Sequence, residues 1–206
     1  GNGYFLPGKR GALYDRHGRE LALTFRGKRV YPHGQLAAHL LGFVGRDGQG
    51  LEGIEYFFDG PLRNKGSRIA AIRDGRGKRL YSPEGAKDSW EVDGKDITLT
   101  LDEVVQHIAE EELAAQVVRQ QAKGGVAVVL NPFSGEILAL AIYPSFDPNA
   151  YLKSNPRAWR NRAITDSLEP GSTFKIIPLA AALEEGLTSL DEQIDGEEGT
   201  LSLSRQ

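Results

Sequence analysis

The 206 residues are 40% hydrophobic and carry a formal net charge of −3, enough for one large domain or two small ones. The chain has no cysteine, which excludes a disulfide framework and a thiolate metal site, and its four histidines show no H-E-x-x-H-type spacing, which argues against a metal centre. No apolar run approaches the ~20 residues that span a bilayer, and neither a signal peptide nor an initiator methionine opens the chain, so Gly1-Asn2-Gly3 reads as the cut edge of a longer protein.

The charge is unevenly spread. Residues 1–100 hold 17 Lys+Arg against 12 Asp+Glu, while residues 101–206 hold 8 against 16, which points to two modules with different surfaces. The first, residues 1–96, is glycine-rich with short alternating runs and frequent turn signals, and reads as an irregular, mostly β module. Gln35–Leu41 is expected to form a short helix that stops at Gly42. Ser67–Arg73 and Gly77–Tyr81 read as strands of a hairpin turning at Asp74-Gly75. Basic residues peak between Arg63 and Arg79, but no aromatic interleaving or reading motif accompanies them. A solvated strand face is therefore favoured over a nucleic-acid site.

Residues 97–206 are more regular. Ile97–Leu101 alternates as a strand does. A helix is expected from Asp102 to Gln121, started either by a Thr100/Glu103 capping box or by Asp102 as N-cap. Val105, Ile108, Ala109, Leu113 and Val117 form its apolar stripe. Val126–Leu130 and Ile137–Ile142 flank Asn131-Pro132-Phe133-Ser134-Gly135 and read as buried strands of an antiparallel pair. A polar, proline-bearing loop (143–168) leads to a helix over Ser172–Glu185, closed by Gly186. Pro178 removes the N–H that would bond back to Phe174 and is expected to bend that helix. The fold class is α+β.

The chemistry concentrates in Ser172-Thr173-Phe174-Lys175. Residues i and i+3 share a helical face, so the Lys175 amine can reach the Ser172 hydroxyl. A helix start adds unpaired N–H groups and partial positive charge that favour an oxyanion. Two fixed letters in four arise by chance about once in a chain of this size, so the neighbourhood has to carry the reading.

That neighbourhood resembles the class B penicillin-binding proteins, the membrane-anchored D,D-transpeptidases that cross-link peptidoglycan. Arg10-Gly11-Ala12-Leu13-Tyr14-Asp15-Arg16-His17-Gly18 is similar to the family's opening motif. Arg29-Val30-Tyr31-Pro32-His33-Gly34, His39-Leu40-Leu41-Gly42 and Gly50-Leu51-Glu52-Gly53-Ile54-Glu55 are similar to the motifs that follow. Asn131–Ala139, Tyr143–Asn149 and Asn161–Asp166 resemble the run into Glu169-Pro170-Gly171-Ser172. The Gly-Gln-Gly-Leu-Glu-Gly form leans towards the septal, division-type branch or its sporulation relative.

The resemblance implies an N-terminal pedestal over residues 1–96 and the first part of a transpeptidase domain over 97–206. It departs from the family twice. Only a few residues occupy positions 24–29, where relatives carry a head segment, and the chain stops at Gln206 before the family's Ser-x-Asn and Lys-Thr-Gly motifs. A truncated chain, inactive by itself, is the expectation. In the intact enzyme, Ser172 is implied as the nucleophile that attacks the penultimate D-Ala carbonyl of a stem peptide. Lys175 is implied as general base, a role disputed among the relatives, which requires a neutral amine. The Ser172 N–H is implied as one oxyanion donor.

No cofactor or metal is implied. Implied partners are peptidoglycan stem peptides, β-lactams, and division or elongation membrane proteins including a glycosyltransferase, with no nucleic acid. The implied location is the bacterial inner membrane, with a single-pass anchor upstream and this region on the periplasmic side. Other polar residues are read as structural. Arg10, Asp15 and Arg16 form an ion-pair and turn cluster, Glu52 and Glu55 an inter-domain brace rather than a glycosidase pair. Glu169 is read as held by backbone hydrogen bonds, and Trp90 and Trp159 as packing residues. A non-catalytic scaffold is the competing class, and a β-lactam sensor or β-lactamase ranks last because it leaves the N-terminal motifs unexplained.

Overall fold

A computed structural model describes residues 4–6, 8–63, 67–69, 72–73, 79–80 and 93–193. The Asp74-Gly75 turn, Trp90 and most of the Arg63–Arg79 basic stretch lie outside the described residues. The chain divides into two compact units, residues 1–166 and residues 167–206.

The first unit begins with strands β1 (Tyr4–Leu6), β2 (Leu13–Tyr14), β3 (Glu20–Phe25) and β4 (Lys28–Val30), followed by short helices α1 (Ala38–Leu41), α2 (Gly53–Phe57) and α3 (Asp59–Leu62). Strands β5 (Ser67–Ile69), β6 (Ile72–Arg73), β7 (Arg79–Leu80) and β8 (Ile97–Thr98) come next. Helix α4 (Glu103–Arg119), strands β9 (Gly125–Leu130) and β10 (Ile137–Tyr143), and helix α5 (Arg162–Thr165) complete it. The second unit holds α6 (Ile176–Glu184). The class is α+β, as the patterning implied.

The expected hairpin is present as β6 paired antiparallel with β7, while β5 pairs with β1 instead. The helix expected from Gln35 starts only at Ala38, because Ala37 adopts a left-handed φ of 54° at its N-cap. It does stop at Gly42, whose φ is 74°. There a Cβ would stand 1.8 Å from the Glu52 carbonyl oxygen, so the motif glycine is required both for its φ and for its close approach to the backbone.

One sheet has the order β4-β3-β2-β8, with β8 parallel to β2 and the other pairs antiparallel. Phe25 pairs with Lys28 across Arg26 and Gly27, both at positive φ (48° and 76°), which is the geometry of a two-residue hairpin turn. The strands therefore join directly through residues 26 and 27. Leu13, Leu21, Leu41, Phe43, Leu62 and Leu101 form the core of this region, each at most 1% exposed.

Helix α4 packs on the antiparallel pair β9–β10, which runs from Leu130↔Ile137 to Gly125↔Tyr143 with a one-residue bulge at Leu138. Of the two starts considered, Asp102 is the N-cap, accepting the Val104 and Val105 N–H groups at 3.0 and 3.2 Å. Thr100 instead donates its hydroxyl to the Ile137 carbonyl at 2.7 Å. The apolar stripe is only partly right, since Val117 is buried, Val105, Ala109 and Leu113 are half-buried, and Ile108 is exposed. The stripe reading left out Gln106, which is fully buried. Its Nε2 donates to the Leu140 carbonyl at 2.9 Å and its Oε1 accepts the Leu140 N–H at 2.7 Å, so a side-chain amide pairs with strand backbone and pins helix to sheet.

The two strands differ in burial. Ala139–Ile142 of β10 are buried, on both faces of the strand, but Val126, Val128 and Leu130 of β9 are exposed on alternate positions. The reading of both runs as buried strands thus holds for β10 alone among the described residues. Apolar content marks a strand that is to be covered, yet among the described residues Val126 and Val128 stay exposed while their cross-strand neighbours Ile142 and Leu140 are buried.

Candidate active site

The stretch that precedes the nucleophile motif is tied to the first unit at several points. Phe146 and Pro148 are buried, and the Asn149 side-chain amide pairs with both polar groups of the Tyr31 backbone at 2.9 Å each. Tyr151 stacks on Phe43 with ring centroids 4.1 Å apart, and Trp159 meets both rings edge-on, which bears out its reading as a packing residue. The buried His39 shares a 2.8 Å hydrogen bond between its Nε2 and the Ala158 carbonyl. Burial lowers the His39 pKa below the usual imidazole value, with Arg162 adding to the effect against the carbonyl bond. Arg160 pairs with Asp166 at 2.6 Å at the end of this stretch. The motif residues Tyr31, His39, Asp147 and Asn149 therefore position backbone.

In the second unit, Ser172 and Lys175 lie in a 3-10 turn, Gly171–Lys175, that leads directly into α6. The helix expected over Ser172–Glu185 thus opens as 3-10 and becomes α only at Ile176. The reason is local: Pro178 is the third residue of α6, where no i−4 donor is required, so the ring fits the first turn rather than interrupting the helix. On a 3-10 turn residues i and i+3 are eclipsed, which sets Ser172 and Lys175 in line along the turn. Gly171 precedes them at φ 55°, and the Thr173 hydroxyl donates to the Pro170 carbonyl. Ser172 and Lys175 are both exposed, and among the described residues no hydrogen bond joins their side chains. Gly186 follows α6 at φ 66°, as its C′ reading required.

The strongest electrostatic feature of the first unit is a buried cluster on Glu55, whose side chain is fully buried. Its two oxygens accept from Arg10 Nε and Arg29 Nε, each at 2.6 Å, and the Tyr31 hydroxyl donates to it at 3.2 Å. Arg10 also donates to Asp59 at 2.6 Å. Burial, seconded by the Glu55 charge, pushes the Tyr31 hydroxyl well above its ordinary pKa. Asp59 is raised by burial but lowered more by the Gly50 N–H and by Arg10, ending below the usual carboxylate range.

Asp15 lies elsewhere, fully buried, and accepts the N–H groups of His17, Arg19 and Glu103. Burial raises its pKa, but those bonds, led by Arg19, outweigh it and leave the net value lowered. Arg16 reaches Glu136 at 3.5 Å, and Glu52 is exposed. Arg10, Asp15 and Arg16 are structural as expected, although in separate clusters. Arg29 and Asp59 complete the Glu55 cluster, and sequence reasoning missed them in that role. The signal was the Arg29-x-Tyr31 motif, quoted but not assigned.

Among the described residues, no group of three or more His, Cys, Asp or Glu side chains is placed to hold a metal ion, and no helix is long and apolar enough to cross a membrane.

The architecture is that of penicillin-binding transpeptidase modules. A crystal structure of penicillin binding protein 3 from Mycobacterium tuberculosis, complexed with aztreonam, superposes with a TM-score of 0.75 at 30% identity, over 93% of this chain and 40% of that one. Residues 125–205 match the family described as "Penicillin binding protein transpeptidase domain", which includes the Ser172–Lys175 turn. "Probable peptidoglycan D,D-transpeptidase PenA" of Neisseria meningitidis is 42% identical over 168 residues, 82% of this chain and 29% of that protein. Stage V sporulation protein D of Bacillus subtilis is 42% identical over 164 residues, 79% of this chain and 25% of that protein. The chain belongs to the class B penicillin-binding proteins. It spans less than a third of the length of these curated relatives.

Proposed function

We propose that this chain supplies the nucleophile of a serine-type peptidoglycan D,D-transpeptidase, with Ser172 as nucleophile and Lys175 as general base. The observation that carries the reading is the Ser172–Lys175 turn opening α6 inside the stretch that matches the transpeptidase domain. In the first half-reaction Ser172 Oγ adds to the carbonyl carbon of the penultimate D-Ala of a stem peptide, and its proton passes to a neutral Lys175 amine. The tetrahedral intermediate collapses, the C–N bond breaks, and the terminal D-Ala leaves as an amine that takes up a proton. The acyl-enzyme is then attacked by an amine of a neighbouring strand, which forms the cross-link and frees the Ser172 hydroxyl. An oxyanion donor such as the Ser172 N–H contributes about 2.7–4 kcal/mol to such a step.

Residues 1–96 act as pedestal and residues 97–206 begin the catalytic domain, with the parallel β2–β8 pairing as a seam between them. The natural setting is the periplasmic side of the inner membrane, below a single-pass anchor, beside glycosyltransferase and division proteins. β-Lactams are inhibitors of the site, as aztreonam is a ligand of the M. tuberculosis relative.

The test is intact-mass spectrometry after incubation with a labelled penicillin. In a protein carrying the whole transpeptidase domain, wild type should gain one adduct and Ser172→Ala none, while Lys175→Ala should acylate far more slowly with the fold intact. The 206-residue chain alone should label poorly, because relatives draw one wall of the cleft from their Lys-Thr-Gly strand. An adduct persisting in Ser172→Ala overturns the assignment. Absence of an adduct in wild type favours the scaffold reading.

A further inference from the structure

The first unit carries an open cleft of about 1400 Å³, lined among the described residues by side chains between positions 8 and 152, that plays no part in the chemistry above. It is walled by the β3–β4 hairpin, the 44–48 loop, residues of α3, and the Pro148–Leu152 segment. Seven cationic side chains line it against two carboxylates, Asp47 and Asp59. Part of that charge is spent internally. Arg10 and Arg29 are neutralised by Glu55 and Asp59, and Arg63 donates to the Asp47 carbonyl at 3.2 Å.

The rest is unspent. Lys9, Arg26, Lys28 and Arg46 are exposed and form no ion pair among the described residues. Arg26 sets its guanidinium carbon 5.3 Å from the Phe25 ring centre. Behind them Arg29, its side chain 3% exposed, lines the same cleft with an Nη2 that has no hydrogen-bond partner among the described residues. Like charges held around one concavity repel one another, and a concave low-dielectric wall concentrates their field on whatever enters.

We propose that this cleft docks an extended acidic segment of a partner protein, one that carries carboxylates interleaved with apolar side chains. Three observations select that occupant. Among the described residues the unpaired charge is of one sign, which selects an anion. The volume exceeds the roughly 300–1,000 Å³ typical of small-molecule sites, so the ligand is a chain segment. The rim also presents Phe25, 56% exposed, and Leu152, 65% exposed, which a phosphate polymer would leave bare and an acidic-apolar peptide would cover. The concavity disfavours a flat lipid surface. Continuous strand addition along β4 is not the mode, because the Asn149 side chain already occupies both polar groups of the Tyr31 backbone beyond its end. Recognition rests on side-chain charge and rim packing. The proposal does not depend on the catalytic reading.

The experiment uses the full chain and a fluorescein-labelled peptide of alternating glutamate and phenylalanine, followed by anisotropy. Binding is expected, weakening as salt is raised from about 50 to about 300 mM. The triple reversal Arg26→Glu, Lys28→Glu, Arg46→Glu touches only exposed side chains and should lower affinity about tenfold, each rim contact contributing roughly a factor of two to three. A control reversal of three exposed cations away from the cleft, Arg119→Glu, Lys123→Glu and Arg157→Glu, should change it less than about twofold. If the reversal disturbs the circular dichroism spectrum, the glutamine triple at the same positions replaces it, with a smaller loss in the same direction. No peptide binding, or equal loss in cleft and control variants, overturns the proposal. Tighter binding of inorganic polyphosphate or of phosphatidylglycerol vesicles than of the peptide overturns it as well.

Discussion

Replacing Glu55 by glutamine keeps the shape of the buried cluster but removes its charge and turns one of its two acceptor oxygens into an NH2 donor. Glu55 accepts from two guanidinium groups at 2.6 Å, and the side chains of Arg10 and Arg29 are 7% and 3% exposed. Neither arginine can swing into water without opening the core. Arg10 retains Asp59 and the Gly48 and Glu55 carbonyls, but Arg29 retains only the Gly11 carbonyl and already has an unpartnered Nη2. The loss therefore falls on Arg29, and an uncompensated buried charge costs about 3–5 kcal/mol. Asp59→Asn should cost less, about 1.5–3 kcal/mol, since Arg10 keeps its remaining acceptors. Glu52→Gln, on an exposed neighbour, should stay within about 0.5 kcal/mol. Urea denaturation followed by circular dichroism measures all three. The expected order is Glu55→Gln, then Asp59→Asn, then Glu52→Gln. A Glu55→Gln loss below about 1 kcal/mol would refute the reasoning, because that is the range of an exposed pair.

Gln106→Leu strands the buried N–H and carbonyl of Leu140, at about 1–3 kcal/mol for each group, and hydrogen exchange at Leu140 should accelerate. Gly42→Ala combines a φ of 74° with a Cβ placed 1.8 Å from a backbone oxygen, so its loss, read from the same urea curves, should exceed that of Gly135→Ala, where the φ is 74° but nothing lies within 4 Å. Stability should fall in two stages on acidification. His39, whose folded pKa is lowered by burial, contributes fully above about pH 6.5 and loses that contribution as pH falls through its folded value. Asp15, Asp59 and Asp102, net lowered because hydrogen bonds outweigh burial, hold theirs down to about pH 4 and lose it below. Thermal melts across that range should show the upper stage disappear in His39→Gln while the lower one remains.

Much of this chain is legible one segment at a time. Asp102 reads as an N-cap because a short carboxylate before an amphipathic run has free N–H groups within reach, and the structure places it there. The β9–β10 pair reads from two apolar runs around Asn131-Pro132, and the stop at Gly42 from a glycine after an apolar helix. Ser172 and Lys175 stand out because their spacing and the preceding Pro170-Gly171 are local features. The misreadings arose where partners are distant in sequence. Gln106 is polar and so falls off an apolar stripe, yet it is buried because Leu140, 34 residues away, offers a backbone N–H and carbonyl together. The pairing of Arg10 and Arg29 with Glu55 spans 45 and 26 residues, and nothing in the local pattern distinguishes those arginines from exposed ones.

The sequence by itself determined most of the elements, the ordered motifs and the family, since these depend on side-chain period, backbone conformational preference and residue identity. Tertiary structure alone decided which carboxylate is buried between two guanidinium groups, which strand residues are exposed, and which cations crowd one cleft. Burial and charge pairing are properties of the space between segments, and that space exists only once the chain has closed on itself.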